Sequence, residues 1–228
     1  MENPGRRVYA GAMLKALLFD LDGTLADTNS VHRLTWVDVL KPHGYDITWE
    51  FYRDRISGRL TNEIVSDLLP DLSPEEVQAI AEAKEANFRE RAGSLEPFPG
   101  LRDFVANSRK RGMGIALVTN APKENVYAVL RALELEDAFE PVILAEDLDA
   151  GKPDPSPYEA ALCAFGISAS EAVAFEDSPS GVSSSVAAGI PTVGIASTHD
   201  PTDLEELGVD LVARDFTDPK LKAFMEER

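Results

Sequence analysis

The sequence predicts an α/β protein, a mostly parallel sheet with helices on both faces and an inserted α-helical cap. Three observations predict it. From residue 95 onward, short apolar runs alternate with helical ones, the pattern of parallel strands joined by right-handed crossovers. Residues 29–94 show helical periodicity and charge but no convincing strand. One strand-like run precedes that stretch, so the helices interrupt a sheet.

Residues 1–12 carry charge but no apolar h-region, so they read as a disordered leader rather than a secretory signal, with Met13 as an alternative start. Residues 14–19 are apolar and end in an Asp-Gly turn signal, which predicts a buried strand. Ala26-Asp27-Thr28 is the outgoing linker. Helices are expected at 31–40, with Leu34 and Val37 at helical spacing, and at 60–69 and 74–91. The last opens on Ser73-Pro74-Glu75-Glu76 and stops at Gly93, a capping box with proline in the first turn. Glu96-Pro97-Phe98-Pro99-Gly100 is the return linker. The expected division is therefore a core of 13–28 and 95–228 with a cap of 29–94, and paired linkers suggest hinge closure over the strand edge. Strands follow at 114–119, 141–145, 172–175, 192–195 and 211–213, and helices at 123–133, 155–165, 179–188 and 203–207. Gly112, Gly166, Gly189 and Gly208 each follow a helical run, as helix stops do.

The chain has 228 residues, 44% hydrophobic and 27% charged, enough for one domain or one domain plus an insert. No apolar stretch reaches the length of a membrane span. A net charge of -18 disfavours nucleic acid and anionic membranes as partners. An enzyme of anionic substrates would then need a local positive site. The single cysteine, Cys163, excludes an internal disulfide and fits a reducing cytoplasm; its place in a helical run predicts core packing. A monomer or weak dimer is expected.

Asp20-Leu21-Asp22-Gly23-Thr24-Leu25 follows the first strand. Residues i and i+2 of a strand share a side, so both carboxylates approach one point at the edge where ligands bind in open α/β sheets. Gly23 permits a sharp turn after them. Carboxylates that close call for a cation between them, and oxygen-only ligands suit Mg²⁺. An ordinary Asp-Gly turn is the bland alternative. A calcium loop needs Glu at its twelfth position, where this chain has Val31. Further strand ends carry Thr119-Asn120, Lys152-Pro153 after Ala145-Glu146-Asp147, and Glu176-Asp177-Ser178, all expected on that same edge.

These four segments, in this order and with a helical cap after the first, resemble the haloacid dehalogenase superfamily of phosphotransferases, in its β-phosphoglucomutase and phosphatase branch, over about residues 14–215. The resemblance implies a Rossmann-like core and Mg²⁺-dependent transfer through an aspartyl-phosphate from a small phosphorylated metabolite. It implies Asp20 as nucleophile, Asp22 as general acid and base, Thr119 and backbone N–H groups on the phosphoryl oxygens, and Lys152 as fixed positive charge. Asp177, with Glu176 in support, would complete a metal shell with Asp20 and the Asp22 carbonyl. Asp22 separates phosphate-ester chemistry from the dehalogenases and phosphonate-cleaving relatives, which lack this second carboxylate. Among cap residues, His32 is either a coupler of closure to acid/base chemistry or structural. Lys84 is either a sugar contact or a solvated charge. Gly23 and Asn120 complete the expected substrate set. Thr61 stands where the mutases place an arginine for the second phosphate, with Arg59 two residues early, and Thr119-Asn120-Ala121-Pro122 is more like the sugar-phosphate phosphatases. A sugar-phosphate phosphatase is therefore expected, with a β-phosphoglucomutase-type transferase as the alternative and a non-catalytic binding protein as a third class.

Overall fold

The computed structural model describes residues 13–228; the expected leader at 1–12 lies outside them. In chain order the elements are β1 (Ala16–Phe19), α1 (Thr28–Leu40), α2 (Trp49–Arg55), α3 (Thr61–Leu68), α4 (Pro74–Arg91) and α5 (Leu101–Lys110). Then follow β2 (Gly114–Thr119), α6 (Lys123–Ala132), β3 (Val142–Leu144), α7 (Ser156–Phe165), β4 (Ala172–Glu176), α8 (Pro179–Ala187), β5 (Thr192–Ile195), α9 (Pro201–Glu206), β6 (Leu211–Ala213) and α10 (Pro219–Glu226). The strands form one sheet in the order β3-β2-β1-β4-β5-β6, with every pairing parallel. Strand order reverses at β1, which makes its C-terminal end the switch point where such sheets bind ligands.

Alternation along β1 divides the core. Leu17 and Phe19 pack on one face with Leu101 and Val105 of α5, Val126 and Val129 of α6, and Phe224 of α10. Ala16 and Leu18 pack on the other with Tyr158, Ala161 and Leu162 of α7. Directly below the site, Phe19 stacks on Phe175 with ring centroids 4.6 Å apart, and Phe139 meets Phe19 edge-on at 5.7 Å. Offset and edge-on aromatic pairs gain about 0.5–1.5 kcal/mol beyond burial, so the strand ends stand on a fixed base.

Helices α1–α4 enclose their own cluster, in which Trp36, Leu40, Tyr52, Ile64 and Val65 are fully or almost fully buried. Phe88 and Ala92, at the end of α4 and just beyond it, belong instead to the sheet's cluster, which anchors that end of the helix to the core. Ser73 caps α4 in the expected box, its side chain accepting from Glu76 N–H while Glu76 reaches back to the Ser73 N–H. The two linkers lie side by side: Ala26 bridges to Pro97, and Phe98 N–H donates to Leu25 O at 2.8 Å.

Helix α1 forms where the spacing predicted it, turning His32, Trp36 and Leu40 inward and leaving Leu34 45% exposed. One expectation fails. Cys163 is exposed rather than packed. Helix α7 is apolar almost all round, so periodicity does not settle which residues face the sheet, and the buried ones are Tyr158, Ala161 and Leu162.

Candidate active site

Parallel strands end on one edge, and this edge collects the acidic residues. Asp20 follows β1, its N–H donating to Phe175 O at 3.0 Å. Thr119 ends β2, and Glu176 ends β4 with Asp177 next. Side-chain oxygens of Asp20, Glu176 and Asp177 lie within 4.8 Å of one another, all buried. The loop between β3 and α7 brings in Lys152, whose Nζ donates to Asp20 Oδ1 at 2.7 Å and to Glu176 Oε1 at 2.5 Å. Tyr158 Oη donates to that same Glu176 oxygen at 2.5 Å.

Three buried carboxylates facing one ammonium leave excess negative charge. Burial, aided by Glu176 and Asp22 and opposed by Lys152, pushes the Asp20 carboxyl up to about 7. Burial and the charges of Asp20 and Glu176 likewise push Asp177 well above its ordinary value. Burial pulls Lys152 down, but Asp20 and Glu176 outweigh it and hold the ammonium above the usual range. Glu176 Oε2 is buried with no hydrogen-bond partner. An all-oxygen cluster with an orphaned acceptor and uncompensated charge fits a hard divalent cation such as Mg²⁺. Gly23 is needed here for two reasons. Its φ is +73°, and a Cβ on it would lie 2.0 Å from Asp177 Oδ2 and 2.3 Å from Asn29 Nδ2.

The cap supplies the opposite wall. Asn29 Nδ2 donates to Asp177 Oδ2 at 2.9 Å and to Thr198 Oγ1 at 2.8 Å, while its Oδ1 accepts from Tyr52 Oη at 2.6 Å. Asp22 turns away from the other carboxylates toward His32, with 3.2 Å between its Oδ1 and the ring's Nε2. Lys84 Nζ meets His32 Nδ1 at 2.9 Å and Glu85 Oε1 at 2.9 Å. An ammonium only donates, so Nδ1 accepts and the ring proton sits on Nε2, aimed at Asp22. The ring is held flat on Phe88, centroids 3.9 Å apart. Burial pushes Asp22 up, but the adjacent His32 ring with its hydrogen bond, the Thr28 hydroxyl and the Lys84 charge leave it below its ordinary value.

The residues singled out in the sequence thus converge. Asp20, Asp22, His32, Arg59, Lys84, Thr119, Asn120, Lys152 and Asp177 line one cavity of about 70 Å³, and Glu176 and Gly23 lie beside its acidic residues. Lys84 is 3% exposed, so of its two readings the solvated charge is excluded. Asn120 clasps loop to loop: its Nδ2 donates to Lys152 O and Gly58 O, and its Oδ1 accepts from Lys152 N–H. Thr119 Oγ1 accepts from Ala121 N–H at 2.9 Å, leaving its own proton to offer. Arg59 reaches the rim but its Nη1 is engaged by Arg55 O and Asp67. Sequence reasoning missed Asn29, Tyr52, Glu85 and Tyr158. Only tertiary contacts reveal their part in the site.

The chain belongs to the haloacid dehalogenase-like hydrolases, whose family model matches residues 17–195. It is 29% identical over 212 residues to validoxylamine A 7′-phosphate phosphatase of Streptomyces hygroscopicus subsp. limoneus, covering 90% of this chain and 96% of that protein. It is 28% identical over 229 residues to β-phosphoglucomutase of Bacillus subtilis, covering 94% and 95%. The structure is similar to CbbY of Rhodobacter sphaeroides in complex with xylulose-1,5-bisphosphate, with a TM-score of 0.77, 28% identity and coverage of 90% and 95%. The family thus places the chain among hydrolases whose relatives include sugar-phosphate phosphatases and a phosphoglucomutase.

Proposed function

We propose that this protein is a Mg²⁺-dependent phosphatase of small phosphorylated metabolites, sugar phosphates foremost, working through an aspartyl-phosphate on Asp20. The observation that carries the reading is the division of labour between two neighbouring carboxylates: Asp20 is clamped by Lys152, whereas Asp22 is held by His32 on the cap. One group is fixed for attack and the other is placed on a proton carrier.

In the first step Asp20 forms a bond to phosphorus as the ester P–O bond breaks, and Asp22 gives its proton to the leaving oxygen. An arriving phosphoryl dianion raises Asp22 from its low resting value by like charge, loading that proton. In the second step water attacks phosphorus, Asp22 takes its proton, and the Asp20–phosphorus bond breaks. Lys152 keeps the nucleophile oriented and offsets charge throughout, while Thr119 Oγ–H donates to a phosphoryl oxygen. Asp20, Asp177, Glu176 and the Asp22 carbonyl would hold Mg²⁺, which when bound neutralises charge on the transferring group.

Thr61 in place of the expected arginine supports hydrolysis over mutase chemistry; its hydroxyl donates to Glu85. The mutase reading draws support from His32 standing between Asp22 and Lys84. The test supplies β-glucose 1-phosphate with a trace of its 1,6-bisphosphate. Inorganic phosphate is expected to appear faster than glucose 6-phosphate; the reverse order would establish the mutase.

Metal dependence has its own readout. Mg²⁺ at about 100 times its dissociation constant is expected to stabilise the protein by ~2.7 kcal/mol, or roughly 5–10 °C in Tm for a chain of this size. Asp177→Ala should remove that rise, and excess EDTA should remove activity. A Tm indifferent to Mg²⁺ together with full activity in EDTA would contradict the assignment.

A further inference from the structure

The half of the cavity beyond His32 is shaped by Glu85, a residue the mechanism above does not use. Glu85 is 7% exposed. Its Oε1 accepts from Lys84 Nζ and from Thr61 Oγ1, and its Oε2 accepts from Asn125 of α6. Burial pushes the carboxyl up, but the Lys84 charge, the nearby His32 ring and the hydrogen bonds from Thr61 and Lys84 hold it below its ordinary range. Every lysine and arginine among the described residues lining the cavity faces a carboxylate: Lys152 faces Asp20 and Glu176, Lys84 faces Glu85, and Arg59 faces Asp67. The adjoining cleft shares Thr61, Glu85 and Asn120 with the site and adds Glu63, Glu82, Glu124 and Glu146. Its one arginine, Arg89, donates to Asn125.

We propose that Glu85 fixes the charge class of the leaving group, so that the site takes monophosphate esters of neutral polyols and turns away esters bearing a second phosphate. The proposal rests on the hydrolase reading above. A phosphate dianion presents only acceptors. At this end it would meet the Glu85 oxygens and the Thr61 oxygen, whose proton is already given to Glu85. A sugar hydroxyl donates to either one, and it can accept the Lys84 N–H left over from Glu85 and His32. Selection then comes from repulsion of the wrong ligand as much as from attraction of the right one. Xylulose-1,5-bisphosphate in the similar CbbY structure makes a bisphosphate the informative competitor.

The test measures binding of glucose 6-phosphate and glucose 1,6-bisphosphate by calorimetry, with Mg²⁺, in an Asp20→Asn background. With Glu85 intact, the bisphosphate should bind no tighter than the monophosphate. Adding Glu85→Gln frees the Lys84 charge and should shift the ratio of the two affinities toward the bisphosphate by about tenfold, the order of one charge-assisted hydrogen bond. A ratio does not depend on the fraction of protein folded. Asn125→Ala breaks the tie between cap and core while keeping the Glu85 charge, and should leave the ratio where it was. The proposal is overturned by an unmoved ratio in Glu85→Gln, by an equal shift in Asn125→Ala, or by tighter bisphosphate binding at the outset. Phosphate release from glucose 6-phosphate by the protein with Asp20 intact reports separately on the hydrolase reading.

Discussion

Asp20→Asn is expected to lower turnover by roughly 10⁴-fold or more, as loss of an attacking group does in other covalent mechanisms. The amide keeps the shape of the carboxylate but cannot attack phosphorus. The fold should survive. Burial, aided by the neighbouring carboxylates Glu176 and Asp22, pushes the Asp20 carboxyl up to about 7, so a neutral isostere relieves the cost of a buried charge and some repulsion in the metal-free protein. Its Tm without Mg²⁺ should equal or exceed that of the parent. Turnover near the parental rate in a folded, homogeneous preparation would remove Asp20 from the chemistry, and a collapsed Tm would mean that the carboxylate holds the fold rather than the reaction.

Lys152→Met should be the most destabilising of the site substitutions. The methionine retains most of the stem but removes the ammonium that bridges Asp20 and Glu176. Breaking one partner out of a buried ion pair costs about 3–5 kcal/mol, or roughly 6–20 °C in Tm for a chain of this length. Turnover should fall about 10²–10³-fold, as when a preorganised electrostatic contact is removed. Mg²⁺ should restore part of the lost Tm, because it supplies positive charge to the same carboxylates. A Tm within 1 or 2 °C of the parent without metal would show that the three acids tolerate one another unaided.

The core was legible in the sequence because its signals are local. Each strand is a short apolar run, and each run ends in its chemistry: Asp20 after β1, Thr119 closing β2, Glu176 and Asp177 at the end of β4. Parallel order then places those ends on one edge with no further information. The cap was less legible. Lys84 lies on α4 among charged neighbours, and nothing in that run distinguishes it from a solvated lysine. Its burial depends on Trp36 and Phe88, whose rings lie 5.3 and 5.8 Å from its ammonium, and on Glu85. Asn29 lies in the first turn of α1, yet its bond to Asp177 spans 148 positions, beyond any local pattern. Helix α2 was missed because it is a seven-residue, charge-rich turn of chain too short to show periodicity. Helix α10 lies past the last recognisable motif, and its apolar residues Leu221, Phe224 and Met225 find their partners only in the folded core.

The cavity between cap and sheet edge, about 70 Å³, has a kinetic consequence. Small-molecule sites ordinarily measure roughly 300–1,000 Å³, so this conformer has room for water but not for a sugar phosphate. Entry and exit must pass through a wider state, reached by parting Asn29 from Asp177, His32 from Asp22, Asn120 from Gly58 and Asn125 from Glu85. Each of these contacts is polar and can be traded for water, which keeps the excursion shallow. Apparent affinity is then the intrinsic affinity scaled by the fraction of molecules standing open. The same four contacts therefore act as a toll on every encounter: weakening one would lower KM by raising the open fraction, while strengthening one would raise KM.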